Sequence, residues 1–169
     1  MPKLPTKKSV LITGCSDGGI GGALALAFHT AGFYVFATAR DPSKISALSK
    51  LHDDVTLLAM DVLDPAQIAA AVETVKQRTD NKLDVLINNS GVNHFSPVLD
   101  IDIPEAKQIF ETNFWGALAI IQAFAPMVIN AKGSIVNIAS VSGHVNVPHM
   151  GQFGCSSALL LSLHSTKNL

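Results

Sequence analysis

Short apolar runs alternate with longer amphipathic segments along most of this 169-residue chain. The runs are apolar at nearly every position, which is typical of strands buried on both faces. They predict strands over residues 9–13, 34–39, 55–60, 83–87 and 133–138. The intervening segments predict helices over residues 20–31, from 42 onward, 65–78, 104–131 and from 151 to about 166.

The starts of three predicted helices carry recognisable end signals. Asp41–Pro42 and Asp64–Pro65 each place a carboxylate at the N-cap and a proline at the first helical position, where its missing N–H group costs nothing. Residues 102–105, Asp-Ile-Pro-Glu, open the long helix in a similar way. These signals fix where the helices begin.

Strands that are each followed by a helix favour a parallel sheet covered on both faces, because parallel neighbours need a crossover. Right-handed crossovers make this a doubly wound α/β sheet, a Rossmann fold. We expect a single domain over residues 1–169. Compared with a complete fold of this kind, it is truncated after the fifth strand and part of the sixth helix. The fifth strand would then have one edge of unpaired backbone groups. Either a partner covers this edge, or the chain is poorly stable, or it is a truncated gene product, and the sequence leaves these alternatives open.

Composition narrows the class of protein. With 48% apolar and 15% charged residues the chain is globular, and a net charge of −1 gives no electrostatic reason to expect nucleic acid as a partner. The two cysteines, Cys15 and Cys155, lack the spacing of metal ligands and fit a reducing compartment. We therefore expect a cytoplasmic protein without a metal site.

The longest apolar stretch covers residues 114–131, interrupted by Gln122 and Pro126. Its length approaches that of a membrane span, but it lacks basic flanks and lies within the strand–helix alternation. We interpret it as a helix buried against the sheet rather than a transmembrane segment. Pairing with another subunit through the helix over 104–131 is left open.

A glycine-rich turn, Thr13-Gly-Cys-Ser-Asp-Gly-Gly-Ile-Gly21, lies between the first strand and the first helix. Glycines at this position let the backbone approach a pyrophosphate, which the N-terminus of the helix then binds. Glycine runs also form ordinary tight turns, but the position after the first strand favours dinucleotide binding. The predicted contacts are Gly14, Ser16, Gly18, Gly19, Ile20 and Gly21.

The end of the second strand indicates which dinucleotide binds. A carboxylate there would accept a hydrogen bond from the ribose 2′-hydroxyl, whereas Thr38-Ala39-Arg40 offers a guanidinium that matches a 2′-phosphate. We therefore predict NADP(H), with Thr38 and Arg40 at the site and Lys44 as a second positive charge. Asp41 weakens this contrast, although we interpret it as a helix cap, and Arg40 as a plain surface residue is the alternative.

The turn at residues 13–21 resembles the Thr-Gly-x-x-x-Gly-x-Gly signature of the short-chain dehydrogenase/reductase family, with its closing glycine one position late. Within the family it is most similar to the branch related to acyl-dihydroxyacetone-phosphate reductases. The resemblance covers Lys8 to about Thr166 and implies NADP(H)-dependent carbonyl reduction or alcohol oxidation on a small molecule. It also implies that Asp61 and Val62 contact adenine.

The Asn88-Asn89-Ser90-Gly91 segment matches the family's Asn-Asn-Ala-Gly motif. The resemblance implies that Asn88, Asn89 and Gly91 border the nicotinamide ribose, since asparagine both donates and accepts hydrogen bonds. An ordinary Asx turn is the alternative interpretation.

The catalytic residues of the family are only half present. By resemblance, Asn113 matches the helix asparagine, which anchors a water chain for the proton, and Ser140 matches the serine that polarises the carbonyl. Phe153 stands where the family has its proton-donating tyrosine, and Ser157 stands where it has lysine, with the residues on both sides in register. We therefore expect activity to be much reduced or absent.

Two alternatives to a weakened reductase stay open. Histidine is a competent acid near neutral pH, and His149, one turn before Phe153, or the loop residues His94 and His144 are candidate substitutes for the missing tyrosine. The chain is otherwise a catalytically inactive nucleotide-binding module that pairs with an active relative. A different Rossmann protein, such as a methyltransferase, is disfavoured by the match of the asparagine motif, Asn113 and Ser140.

Overall fold

The computed structural model describes residues 7–51, 54–145 and 147–163. Within them a five-stranded parallel sheet has the strand order β3-β2-β1-β4-β5. The strands are β1 (Ser9–Ile12), β2 (Tyr34–Ala39), β3 (Val55–Ala59), β4 (Val85–Asn88) and β5 (Ser134–Asn137). The helices are α1 (Ile20–Thr30), α2 (Pro65–Thr79), α3 (Ile103–Phe110), α4 (Ala117–Ala131) and α5 (Gly151–Ser162).

The central strands are buried along their whole length. Every residue of β1 and β2 is buried, as the unbroken apolar runs predict. In the register of the sheet Val10 lies beside Val35 on one side and Val85 on the other. The prediction of a doubly wound parallel sheet is confirmed, and the strand order reverses between β1 and β4, where such folds bind their ligands.

Helices cover both faces of the sheet. On one face Ala25 of α1 packs in a core cluster with Ile45 and Leu48. On the other face Val75 of α2 and Phe124 of α4 belong to a second cluster. The burial on both faces explains why the strands show no polar alternation, since each side chain meets apolar neighbours whichever way it points.

The helix predicted after Asp41–Pro42 is wrong. The capping signal is right, because the Asp41 carboxylate accepts from the backbone N–H of Ser43 at 3.0 Å. The chain beyond this cap, however, forms two short 3₁₀ turns, Pro42–Lys44 and Leu48–Lys50. Ser46 between them donates its hydroxyl and its backbone N–H to a carboxylate outside the segment, and serine side chains compete with helical hydrogen bonds in this way.

The long helix predicted over 104–131 is interrupted by a π-helical turn at Glu111–Gly116, which separates α3 from α4. A side chain on Gly116 would lie 2.7 Å from Cγ2 of Val62, so the helix approaches the loop after β3 closely at this turn. The whole helical stretch, Ile103–Ala131, is long and apolar enough to cross a membrane, a criterion that core helices of soluble proteins also meet. Buried residues such as Ile120 and Phe124 place α4 against the sheet, as predicted.

Helix α5 begins at Gly151, as predicted, and packs against α3 and the π-helical turn. Its predicted end near residue 166 lies outside the described residues. Among the described strands β5 pairs with β4 alone and forms one edge of the sheet. Residues that follow β4 and β5 line a cleft together with residues of α5.

Candidate functional site

A cleft of about 350 Å³ opens at the carboxyl ends of the strands, beside the point where the strand order reverses. Its wall includes nine of the predicted cofactor residues: Gly14, Ser16, Gly19, Ile20, Arg40, Asp61, Val62, Asn89 and Gly91. Met60, Leu63 and Thr112 also line the cleft, although they belong to none of the sequence motifs. The structure thus brings the glycine turn and the ends of β2, β3 and β4 to one place.

The glycine turn needs its glycines for two different reasons. Gly14 and Gly18 have φ angles of +72° and +77°, which side chains other than glycine rarely adopt. Gly21 has no room for a side chain, because a Cβ atom there would lie 2.4 Å from the carbonyl oxygen of Gly14 and 2.5 Å from Nδ2 of Asn89. The turn is therefore held tightly against the first turn of α1.

The N-terminus of α1 suits an anion. Its N-cap is Gly19, which offers no side chain, and the first turn contains no acidic residue. By contrast, α2 is capped by Asp64, whose carboxylate accepts from the N–H groups of Ala66 and Gln67. The first N–H groups of α1 thus lack a side-chain partner beside the cleft, which is the arrangement that binds pyrophosphate in dinucleotide sites. The residues present fit a nicotinamide dinucleotide.

Asn89 and Thr13 fix the turn to the end of β4. The hydroxyl of Thr13 accepts from the backbone N–H groups of Asn89 and Ser90, both at 2.9 Å. The Asn89 amide donates to the carbonyl oxygens of Thr13 and Gly14 at 2.8 and 3.0 Å. Asn89 therefore lines the cleft and also holds the glycine turn against the end of β4.

Asn88, predicted at the same site, lies below the wall of the cleft. Only 3% of its surface is exposed, and its amide donates to Oδ1 of Asn137 at 2.9 Å. The contact joins the carboxyl ends of β4 and β5. Asn88 supports the site through the strands rather than through the cleft surface.

Arg40 is exposed and lines the wall of the cleft, as does Asp61. Thr38 does not contribute to the wall, contrary to the prediction, because the pleat of β2 turns its side chain into the protein, where it is fully buried. The backbone carbonyl of Thr38 instead accepts from the N–H group of Cys15 at 2.8 Å. Lys44 and Gly18 also lie outside the wall.

Three ionisable side chains near the turn have shifted pKa values. Hydrogen bonds from the Ser46 side chain, then from the backbones of Ala47 and Ser46, lower the pKa of Asp17, and bonds from Ser43 lower that of Asp41. Burial raises the pKa of Cys15 to about 12, so its thiol stays protonated at neutral pH and is not a nucleophile.

A smaller cleft of about 210 Å³ continues from the first. The two share Ile20, Asn89, Ser90, Gly91 and Val92 in their walls. The smaller one is also lined by Asn113, Phe153, Ser157 and Leu160. The structure therefore places both departures from the family pattern, Phe153 and Ser157, where the glycine turn and the asparagine motif meet.

Asn113 lies in the π-helical turn and is 5% exposed. Its Oδ1 accepts from the N–H group of Val92 at 2.8 Å, and its Nδ2 donates to the carbonyl oxygen of Val92 at 2.9 Å. Nδ2 also donates to the hydroxyl of Ser156 at 3.2 Å. Asn113 thus joins the loop after β4 to α5 behind the smaller cleft.

Ser140 lines neither cleft. Its hydroxyl oxygen accepts from the N–H group of Ser142 at 3.2 Å and caps the 3₁₀ turn Val141–Gly143. The wall of the smaller cleft contains no histidine among the described residues. His94 lies 3.1 Å from a carboxylate oxygen of Glu105, so it pairs with α3 rather than facing Phe153.

His144 lines a separate cavity of about 320 Å³ beside Cys155, while His149 is exposed and has a φ angle of +63°. Neither lines the smaller cleft. Within residues 7–51, 54–145 and 147–163, no group of three histidine, cysteine, aspartate or glutamate side chains has a metal-binding arrangement.

Sequence analysis missed three residues that build the site. Thr13 and Ser156 supply hydroxyl groups to Asn89, Ser90 and Asn113 through contacts that only the folded chain creates. Asp17 binds the segment after β2 through contacts that likewise form only in the folded chain.

Comparison with known proteins agrees with this geometry. The family described as short chain dehydrogenase matches residues 8–167. The chain is 50% identical over 163 residues to short-chain dehydrogenase ptmH of Penicillium ochrochloron, covering 96% of this chain and 60% of that protein. It is 38% identical to the NADPH-dependent 1-acyldihydroxyacetone phosphate reductase of Schizosaccharomyces pombe, covering 96% and 54%.

Among solved structures, a short-chain dehydrogenase from Streptomyces avermitilis superposes with a TM-score of 0.85 at 27% identity, covering 95% of this chain and 59% of that one. The chain therefore spans somewhat more than half the length of the proteins that it matches.

Proposed function

Because the chain belongs to the short-chain dehydrogenase family, a family of oxidoreductases, we propose that it binds NADP(H) and reduces carbonyls or oxidises alcohols far more weakly than its relatives. The observation that carries this proposal is the pair of joined clefts. One contains the glycine turn and Arg40, and the other contains Phe153 and Ser157.

The residues that would hold the dinucleotide are those of the larger cleft. The N–H groups at the start of α1 would bind the pyrophosphate, and Asp61 and Val62 would border the adenine. Arg40 would bind the 2′-phosphate, and the name of the 38% identical relative, an NADPH-dependent reductase, supports NADP(H). When bound, the nicotinamide would supply or accept the hydride.

The two residues at the positions of the family's tyrosine and lysine cannot deliver the accompanying proton. A phenylalanine ring has no exchangeable proton, and the hydroxyl of Ser157 carries no charge that would lower the pKa of a neighbouring acid. Loss of a positioned acid costs about 10² to 10⁴ in rate. The amide of Asn113 is already hydrogen-bonded to Val92 and Ser156. Asn113 would therefore hold these two segments in place beside the site.

Cofactor binding is tested by titrating NADPH and NADH against the intrinsic fluorescence of the full chain. We expect Arg40→Ala to weaken NADPH binding by about tenfold, the loss of one charge-assisted contact, while NADH binding changes little. Lys50→Ala, another exposed cation after β2, is the matched control and should change neither affinity. No saturable NADPH binding by the wild type would refute the proposal.

The catalytic part is tested by NADPH oxidation with a panel of ketones and acyl-ketone phosphates. We expect the double variant Phe153→Tyr/Ser157→Lys to raise the rate by about 10² or more. Ser157→Lys alone, which leaves position 153 without an exchangeable proton, is the matched control and should show no such gain. A wild-type rate equal to that of intact relatives would contradict the proposed impairment.

A second candidate is a catalytically inactive module that binds nucleotide and pairs with an active relative or a second copy through the helix over 104–131. Trp115 and Ile129, 52% and 45% exposed on that helical stretch, favour it. Light scattering of the wild type and of Trp115→Gln would show whether an oligomer exists and depends on this face. The free thiols of Cys15 and Cys155 support a cytoplasmic location.

A further inference from the structure

Asp17 binds the glycine turn to the segment that comes after β2. Its backbone N–H group donates to the carbonyl oxygen of Lys44 at 2.8 Å. Its carboxylate accepts from the N–H and hydroxyl of Ser46 at 2.8 and 2.6 Å, and from the N–H of Ala47 at 3.2 Å. Four hydrogen bonds therefore run from one residue of the turn to residues 44–47.

The segment that Asp17 holds follows closely on Arg40, the positively charged residue in the wall of the larger cleft. Arg40 lies in the cleft wall, and Lys44 is the last residue of the first 3₁₀ turn. The segment has no regular helix of its own, since only short 3₁₀ turns form in the described residues between β2 and β3. Its position relative to the glycine turn depends on Asp17 and on the burial of Ile45 and Leu48.

We propose that Asp17 is a positioning residue for selectivity between phosphorylated and unphosphorylated adenine ribose: it sets the distance between the pyrophosphate-binding turn and the cations that meet a 2′-phosphate. The inference rests on the proposed function, because it requires that the larger cleft binds an adenine dinucleotide. It assigns a role to a residue of the glycine turn that does not itself line the cleft.

The charge of Asp17 and its geometry have different consequences for ligands. A carboxylate near the cleft repels every phosphate group of a nucleotide, so removal of the charge favours nucleotides with and without a 2′-phosphate. Loss of the three hydrogen bonds to the carboxylate displaces the segment that follows Arg40, which matters only to a ligand with a 2′-phosphate. The ratio of the affinities for a nucleotide with and without a 2′-phosphate therefore distinguishes a positioning role of Asp17 from a general effect of its charge.

The experiment measures dissociation constants of the full chain for adenosine 2′,5′-bisphosphate and for adenosine 5′-monophosphate by calorimetry. We expect the wild type to prefer the bisphosphate and Asp17→Ala to reduce that preference at least fivefold. Asp17→Asn, which keeps one oxygen acceptor, and Ser46→Ala, which removes one donor from the opposite side, should each reduce it by a smaller factor. Asp54→Ala, a carboxylate just before β3, is the control and should leave the preference unchanged.

An Asp17→Ala variant that weakens both ligands by the same factor, or an unchanged preference in Asp17→Asn and Ser46→Ala, would overturn the positioning role and leave the proposed function intact. A wild type that binds neither ligand would instead refute the proposed function, and the inference with it. The milder variants keep the test decisive if Asp17→Ala does not fold.

Discussion

The amide nitrogen of Asn113 lies 3.2 Å from the hydroxyl oxygen of Ser156, and this hydrogen bond joins the π-helical turn to α5. The same side chain forms a pair of hydrogen bonds with the backbone of Val92. The hydroxyl of Ser156 in turn donates to the carbonyl oxygen of Phe153 at 2.9 Å. One buried amide thus connects three segments around the smaller cleft.

Asn113→Ala should therefore be costly for stability as well as for the site. It removes three hydrogen bonds and leaves the N–H and C=O groups of Val92 without their side-chain partner, so we expect a loss of about 2 kcal/mol in the free energy of unfolding. Urea denaturation measures this. Asn130→Ala, which removes one exposed bond to the carbonyl oxygen of Asn81, should cost less than about 0.5 kcal/mol.

Gly21→Ala should disrupt the turn by overlap. The new Cβ would lie 2.4 Å from the carbonyl oxygen of Gly14, so the turn and α1 must move apart, and we expect weaker NADPH binding together with a loss of about 2 kcal/mol or more in stability. Gly151→Ala, at the start of α5, meets no atom within 4 Å and should be neutral or slightly stabilising. Equal effects of the two substitutions would contradict the contact argument.

Gln152→Met should stabilise the protein. Gln152 is 6% exposed, and neither its amide nitrogen nor its amide oxygen has a hydrogen-bond partner among the described residues, so burial of this side chain costs free energy that a thioether of similar shape does not. We expect a gain of about 1 kcal/mol in the free energy of unfolding. The exposed Gln122→Met on α4 is the control, with an expected change within about 0.5 kcal/mol.

The two thiols should react at very different rates. Cys155 is exposed on α5, whereas Cys15 is fully buried, has a pKa raised to about 12 and donates to the carbonyl oxygen of Ile12. Because the thiolate is the reactive form, a disulfide reagent at pH 8 should modify one thiol per chain rapidly. Cys155→Ser should abolish the rapid phase, and a rapid phase that persists in that variant would show that Cys15 is accessible.

Acid should loosen the segment after β2 once the pH falls below 3.8. Hydrogen bonds lower the pKa values of Asp17 and Asp41 below the ordinary 3.8, so their contribution to stability is complete above pH 3.8 and is lost as the pH falls through the lower values of the folded state. Urea midpoints at pH 7 and pH 3 should differ less in Asp17→Asn than in the wild type. Asp100→Asn, outside this segment, should behave like the wild type in this comparison.

The sheet is the part of the fold that the sequence predicts most directly. The almost wholly apolar side chains of β1 and β2 require cover on both faces, and helices on both sides of a parallel sheet provide it. The helix predicted after Asp41 failed because Ser46 bonds to a residue 29 positions earlier, a contact that local propensity does not contain. The π-helical turn was missed because it depends on the packing of Gly116 against Val62.

Part of the candidate site could likewise be predicted from the sequence, and part could not. Backbone motifs identified the glycine turn and the cleft residues beside it, since glycine and the strand ends impose their own geometry. The inward side chain of Thr38 and the loop-capping hydroxyl of Ser140 depend on strand pleat and on a short turn, which motif matching ignores. The assignments of Phe153 and Ser157 stay predictions about chemistry, although both residues line the smaller cleft.

The π-helical turn at Glu111–Gly116 has a consequence for insertions and deletions. A π-turn holds one residue more than an α-helix needs, so a deletion of one residue there would let α3 and α4 run on as a single regular helix. Because the turn absorbs this extra residue, α3 and α4 would keep nearly the same orientation relative to each other. A different side chain would reach α5 in place of Asn113, while the strands would keep their register.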